Sequence, residues 1–211
     1  SPRFHRSIHS GRLSAAPFRI PARTGPCRAI QVYGDRILTD QVLVRPRVMG
    51  GEVVADPAAG YVKLAVLERH TGSGRIGLGL IVGLGLKAGA LATSVAHDSH
   101  NVVVAGVEDE DMLAAFHEIR RMGGGLVAVR GGKVVARLPL PVAGLLTQEP
   151  LRRVAERMEA LTQTARRLGV RLPHPFLTLS FVTLAVVPSL KLTDRGLVDV
   201  SAGRIVSLWV D

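Results

Sequence analysis

Residues 101–140 read NVVVAGVEDEDMLAAFHEIRRMGGGLVAVRGGKVVARLPL, and this stretch decides the fold class. It begins with an apolar run typical of a buried strand and continues with a helix-like segment. It ends with two further apolar runs, 126–130 and 133–140, joined by Gly131 and Gly132. Two strand-like runs joined by a glycine pair predict a β-hairpin. A strand, a helix and a hairpin in succession predict α/β layering, with α+β as the alternative.

The helix-like segment carries its own start and stop signals. Asp109 can cap the N-terminus, Arg120 and Arg121 suit the C-terminal end of the helix dipole, and Gly123 can end the helix. One apolar face is formed by Met112, Ala115, Phe116, Ile119 and Met122. Such a stripe predicts a helix that covers a sheet.

The remaining apolar runs indicate a mostly β chain with two main helices. Strands are predicted at 28–33, 37–44, 61–69, 76–83, 91–96 and 204–210. The second helix follows Thr147 and ends at Gly169. Its apolar stripe, which we interpret as core, consists of Leu151, Val154, Ala155, Met158, Leu161, Ala165 and Leu168. The run PFLTLSFVTLAVV, residues 175–187, fits a buried strand or a helix, because periodicity does not separate the two.

The domain boundary is predicted near residue 25. Residues 25–211 form one domain in this interpretation, and residues 1–24 form a linker or interface segment. That segment concentrates arginine and has four apolar side chains without the period of a strand or a helix: Phe4, Ile8, Phe18 and Ile20. We expect such a segment to dock on a neighbouring domain rather than to join the core.

The charge distribution argues against nucleic acid as a partner. The formal net charge is +10, but residues 1–47 hold nine arginines against two aspartates, so the rest of the chain is near balance. Aromatic residues make up only 4% of the chain, and they do not interleave with basic residues as base-stacking surfaces require. We therefore predict no nucleic-acid binding.

Cysteine usage and hydropathy indicate the compartment. Cys27 is the only cysteine, so no internal disulfide can form, and residues 1–10 lack the apolar run of a secretion signal. Apolar runs at 76–86 and 175–190 are shorter than the roughly 20 residues that a spanning helix needs. We expect a soluble, cytoplasmic chain that does not bind a membrane.

One polar stretch stands out as a candidate site. TSVAHDSHN, residues 93–101, lies between apolar runs and supplies six candidate residues: Ser94, His97, Asp98, Ser99, His100 and Asn101. A metal site usually needs three protein ligands, and no third ligand is visible near the two histidines. A serine nucleophile is recognised only by spatial geometry, which neighbours in sequence do not establish. A hydrogen-bonded polar turn is an equally good interpretation.

A second motif, GSGRIG at residues 72–77, matches the glycine spacing of dinucleotide-binding loops. Those glycines function where a strand turns into a helix that meets the pyrophosphate. The run that follows, IGLGLIVGLG, has the pattern of a strand. We therefore interpret GSGRIG as a glycine turn between closely packed strands.

Four longer runs carry a resemblance to a known family. They are residues 18–44, 83–112, 123–146 and 174–200, and the most specific motifs within them are SVAHDSHN (94–101) and LPLPVAGL (138–145). Together they resemble the C-terminal domain of bacterial adenine deaminase, with 18–44 similar to the segment that links it to the rest of that enzyme. Adenine deaminase belongs to the amidohydrolase superfamily, and the resemblance covers nearly the whole chain.

The resemblance implies a function for the complete enzyme more than for this chain. Adenine deaminases are hydrolases of purine salvage that convert adenine to hypoxanthine and ammonia. Their binuclear manganese or iron centre generates the attacking hydroxide. The metal ligands lie in an N-terminal (β/α) barrel, to which nothing here corresponds. We therefore expect no metal in this chain and no adenine turnover by the chain alone.

Three interpretations remain open. In the first, this chain is the C-terminal portion of an adenine deaminase, packs on a barrel from the same gene or a separate chain, and belongs to a homo-oligomer. In the second, it is a freestanding, non-catalytic module for ligand binding or assembly. In the third, it is a metal hydrolase built on the histidine-rich loop. The first also predicts that HDSHN faces the active site.

Overall fold

A computed structural model of the chain describes residues 7–10, 13 and 16–210. Thirteen strands and three helices are formed by these residues. In chain order they are β1 (Cys27–Gln31), β2 (Asp40–Val44), β3 (Val48–Met49), β4 (Glu52–Val53), β5 (Tyr61–Leu67), β6 (Ile76–Val82), β7 (Ala90–Thr93), β8 (Val102–Gly106), α1 (Asp109–Met122), β9 (Gly125–Arg130), β10 (Lys133–Pro139), α2 (Leu151–Arg167), α3 (Pro175–Phe181), β11 (Leu190–Thr193), β12 (Gly196–Asp199) and β13 (Arg204–Val206).

The main sheet has eight strands in the order β10-β9-β7-β8-β5-β6-β1-β2. Neighbouring strands pair antiparallel except β1 and β6, which are parallel. Strands β11, β12 and β13 form a smaller sheet, and β3 pairs with β4. The mostly antiparallel pairing makes this the α+β form of the predicted fold class, dominated by strands.

Both faces of the main sheet are covered, which produces three layers. Helix α1 packs on one face, where Phe116 and Ile119 meet β5, β7, β8 and β9. Helices α2 and α3 and the smaller sheet pack on the other face. Strand β5 is therefore buried at every residue, because Leu64 and Val66 face one layer while Ala65 and Leu67 face the other.

The prediction for residues 101–140 is confirmed: β8, α1, β9 and β10 appear in that order. The predicted N-cap is wrong, because Glu108 occupies that position without a side-chain cap and the Asp109 carboxylate accepts hydrogen bonds from Lys63 instead. Gly123 ends the helix in the left-handed region, at φ 73°. The ambiguous run from residue 175 begins as the short helix α3.

The second helix forms, but its apolar stripe is only half buried. Leu161 and Ala165 belong to the core, whereas Leu151 is 84% exposed and Met158 is 38% exposed. The interpretation of the whole stripe as core is therefore wrong for its N-terminal half. No helix among the residues that the structure describes is long and apolar enough to span a membrane.

The segment before residue 25 is also more deeply packed than expected. Phe18 is 1% exposed and joins the cluster beneath α1, and Ile20 is 4% exposed beside Cys27 and Trp209. These two side chains are core residues of this chain, while the interface role expected for residues 1–24 stays a prediction. Phe4 lies outside the described residues.

Candidate functional site

The candidate loop connects β7 to β8 at one end of the main sheet. Hydrogen bonds hold it at its start and in its middle. At the start, the Ser94 hydroxyl donates to the Gly144 carbonyl at 2.5 Å and accepts from the Gly125 N–H at 2.8 Å. In the middle, the His97 N–H donates to Ser180 O at 3.0 Å, and the Thr183 hydroxyl donates to His97 O at 2.8 Å. Strand β7 ends at Thr93, so residues 94–96, which the apolar pattern predicts as strand, belong to this connection.

Arg69 is the residue that joins this loop to a second one. Its guanidinium donates to the carbonyls of His100, Ser7 (2.9 Å) and Ala143 (3.0 Å). The side chain is buried, with 2% exposed, and burial lowers its pKa. The two motifs that are most specific in the sequence, SVAHDSHN and LPLPVAGL, therefore meet around one cation. Sequence reasoning missed Arg69, because a lone arginine at the end of a strand carries no signal of its partners.

Asn101 connects the loop to the smaller sheet. Its side-chain oxygen accepts from the Arg69 backbone N–H at 3.3 Å, and its side-chain nitrogen donates to Asp194 at 3.2 Å. Asp194 also pairs with Arg75 at 2.8 Å. Asn101 is 3% exposed, so the structure places it and Ser94, which is 0% exposed, in the interior. Both are structural anchors in this chain.

His100 holds the turn in shape. Its Nδ1 accepts a hydrogen bond from the Ala96 N–H at 3.3 Å, and its own backbone N–H donates to Ala96 O at 2.6 Å. Its φ is 49°, in the left-handed region, where histidine is uncommon but tolerated. Burial, followed by nearby His97 and Arg69, lowers the pKa of His100 below its ordinary value of 6.5. Its imidazole is therefore neutral at neutral pH.

His97 and Asp98 differ from the rest of the loop. The His97 ring packs against Phe181, with 4.9 Å between ring centroids, and contacts the edge of the His100 ring at 5.7 Å. Within residues 7–10, 13 and 16–210, neither its ring nitrogens nor the exposed Asp98 carboxylate has a hydrogen-bond partner. Ser99 is exposed, and its hydroxyl accepts from the Asn101 N–H at 3.5 Å. His97 and Asp98 are thus the loop's free polar groups.

Comparison with known proteins identifies the family. The family model for the adenine deaminase C-terminal domain matches residues 36–204. This chain belongs to that family. It is 45% identical over 208 residues to the adenine deaminase of Desulfatibacillum aliphaticivorans. This match covers 99% of this chain and 37% of the relative. It is 48% identical over 195 residues to adenine deaminase 2 of Carboxydothermus hydrogenoformans, which covers 92% of this chain and 34% of that protein. The chain thus spans little more than a third of these relatives.

The adenine deaminase C-terminal domain offers no metal centre in its described part. No group of three or more His, Cys, Asp or Glu side chains is placed there to hold a metal ion. The manganese or iron that the family resemblance implies therefore does not fit the described residues of this domain. Ser94 bonds to Gly144 and Gly125 rather than to a histidine, so it lacks the geometry of an activated nucleophile.

The domain's own carboxylate, that of Glu68, fills the turn that leads into the glycine motif at 72–77. The Glu68 side chain accepts from the N–H groups of His70 (2.6 Å), Thr71 (2.8 Å) and Ser73 (3.1 Å). Burial alone would raise the pKa of Glu68, but the hydrogen bonds from Thr71 and Ser73 hold it well below its ordinary value. These donors already satisfy an anion, so they are not free for a phosphate.

Proposed function

We propose that this domain forms part of the wall of an adenine deaminase active site. The complete enzyme would hydrolyse adenine to hypoxanthine and ammonia in purine salvage. Its metal ions, manganese or iron, and its hydroxide-forming machinery would belong to an amidohydrolase barrel that partners this domain. Membership in the adenine deaminase C-terminal domain family supports the proposal.

The observation that carries the proposal is a loop held by hydrogen bonds that presents two polar side chains with no hydrogen bond to the described residues. Ser94, His100 and Asn101 fix the loop through Gly144, Ala96 and Asp194. His97 and Asp98 keep their hydrogen-bonding capacity. Rigid scaffolds that present polar groups from loops are typical of binding sites.

The free groups suit a purine. A neutral imidazole donates from one ring nitrogen and accepts at the other, and a carboxylate accepts from a ring or exocyclic N–H. His97 and Asp98 would therefore orient adenine rather than carry out its hydrolysis. His100, held neutral and bonded to Ala96, would act as a positioning residue.

The test replaces each histidine in a complete enzyme. The matching region of the Desulfatibacillum aliphaticivorans relative is exchanged for this chain, and His97→Ala, His100→Ala and His117→Ala are compared in that chimera. His117 lies exposed on α1, in the opposite layer, and serves as the matched control. Adenine kinetics and melting temperature are measured on the same preparations.

We expect His97→Ala to lower kcat/KM by about ten-fold or more with little change in melting temperature, as loss of a transition-state contact does. His100→Ala should lower the melting temperature, because it removes a turn bond. His117→Ala should change neither. Normal turnover by His97→Ala would show that the loop is only structural, and turnover of adenine by the isolated chain would contradict the need for a barrel.

A further inference from the structure

A groove lies between α2 and α3 on the face of the sheet opposite α1. We call it the α2–α3 groove. Its cavity volume is about 280 Å³. The lining is mostly apolar, and it includes Val154 and Met158 of α2, Phe176 and Leu177 of α3, and His97. His97 places the groove directly beside the candidate loop.

The groove is where the apolar stripe of α2 loses its partner. Leu161 and Ala165 are buried in the core, Val154 and Met158 line the groove, and Leu151 is exposed one turn further. Residues spaced by three, four and seven positions lie on one face of a helix. The N-terminal half of that face is therefore uncovered, and Leu177 on α3, which is 50% exposed, extends the apolar surface across the groove.

One polar atom of α3 is buried beside the groove without a partner in the described part of the chain. Ser180 is 2% exposed, and its hydroxyl has no hydrogen-bond partner among the residues that the structure describes. A buried hydroxyl without a partner costs free energy of about 1–3 kcal/mol in general.

Helix α2, which lines the groove through Val154 and Met158, is basic as a whole. Helix α2 contains five arginines and two glutamates. Arg152 pairs with Glu156 and Arg157 pairs with Glu149, whereas Arg153 forms no ion pair within the described ranges. An occupant with a carboxylate where it passes over α2 would complement the charge of this helix.

We propose that the α2–α3 groove receives an apolar segment with an acidic residue at its edge, from the part of the adenine deaminase polypeptide that this chain does not span. The lengths of the two relatives supply the candidate occupant, because roughly two-thirds of each relative lies outside the match. The inference rests on the proposed function only because it takes the remaining two-thirds of the polypeptide as the partner of this domain. The occupant would also contact the His97 side chain where that side chain lines the groove.

Thiol labelling tests the groove, because the single native cysteine, Cys27, is fully buried. Leu177→Cys and Met158→Cys are made in the isolated chain and in the chimera with the remainder of the Desulfatibacillum aliphaticivorans relative. Leu43→Cys on β2, where the native side chain is 54% exposed, is the matched control. Amide exchange of α3 in the unsubstituted proteins provides a second measurement that needs no variant.

In the chimera we expect labelling at positions 177 and 158 to slow by about ten-fold or more, with slower exchange in α3, while position 43 is unaffected. Equal rates in chimera and isolated chain would overturn the proposal, as would equal slowing at position 43. Protection that appears in the isolated chain and rises with its concentration would overturn it too, because a second copy would then be the occupant. If His97→Ala leaves turnover normal while the groove is protected, the proposed function fails and the docking inference stands.

Discussion

Lys191 is a buried cation that is held in place by hydrogen bonds to backbone carbonyls rather than by an ion pair. It is 0% exposed on β11, and its Nζ donates to the carbonyls of Ile37 and Phe181, both at 3.1 Å. Phe181 is the last residue of α3, so its carbonyl lies at the negative end of that helix. Lys191 thereby ties the loop before β2 to the end of α3, behind the Phe181 ring that supports His97. Burial lowers its pKa from 10.5 to about 8.

The lowered pKa of Lys191 predicts that the free energy of unfolding rises with pH. Because the folded pKa lies below the unfolded value, the unfolded state binds more protons above about pH 8, and the free energy of unfolding should increase there. We expect a gain of about 1 kcal/mol by pH 9 that Lys191→Met abolishes. Urea denaturation of both proteins from pH 7 to 9 measures it. Burial raises the pKa of Cys27 to about 11, and this offsets the gain from Lys191 above about pH 9, so that range is avoided. Parallel pH profiles for the two proteins would contradict the prediction.

The site is assembled from connections rather than from whole strands or helices. The loop from β7 to β8 meets the loop that follows β10, and Arg69, two residues after the end of β5, bonds to both. Gly144 makes the approach possible, because its φ is 74° and a Cβ there would lie 2.7 Å from Arg69 Nη1. Helix α1 fixes the neighbouring hairpin in a similar way, since the Asp111 carboxylate accepts from the N–H groups of Gly131 and Gly132.

Gly144→Ala should therefore destabilise the domain more than an alanine at another left-handed glycine. Gly132, at φ 72°, is the matched control, because a Cβ at that residue would meet no other atom within 4 Å. Left-handed backbone alone costs a non-glycine residue about 1–2 kcal/mol, and displacement of Arg69 should add about 1–3 kcal/mol at residue 144 only. Chemical denaturation of both variants checks the difference. Equal losses would show that Arg69 moves aside at no cost.

At the scale of the whole molecule, residues 16–24 pack as part of the domain. Phe18 O accepts from the buried Lys63 Nζ at 3.1 Å, and the same amine pairs with Asp109 at the start of α1. Ile20 O accepts from Val53 N–H at 2.9 Å. The segment therefore ties the α1 layer to β4 and the edge of the main sheet. The boundary at residue 25 remains a sequence prediction. A domain cut at that boundary would lack the core side chains of Phe18 and Ile20.

We expect Phe18→Ala to cost about 3 kcal/mol or more of unfolding free energy, as the loss of a buried phenylalanine does. Leu43→Ala, at a position that is 54% exposed, should cost well under that and is the control. A chain that begins at residue 25 should melt at a lower temperature than the chain that keeps residues 16–24. Equal melting temperatures for the two lengths would restore the interpretation of an interface segment.

Periodicity determined much of this fold. Residues 101–140 specify a strand, a helix and a hairpin through local signals: alternation of apolar residues, the stripe from Met112 to Met122, and the left-handed glycines that end α1 and turn the hairpin. Such signals act within a few residues, so they can be read without knowing what packs nearby. For the same reason the pattern predicts too long a strand before HDSHN, since apolar letters continue to Ala96 after the pairing ends at Thr93.

Tertiary structure alone decided which groups are free. In the sequence, Ser94 and Asn101 are polar residues of the same motif as His97 and Asp98. In the fold, Ser94 bonds to Gly144, and Asn101 bonds to Arg69 and Asp194. These partners lie far away in sequence. The stripe of α2 likewise runs unbroken in the sequence, yet its N-terminal half, from Leu151 to Met158, stays uncovered within this chain. Burial and hydrogen bonding depend on contacts between distant residues, and an amino-acid pattern records the side chain but not its neighbours.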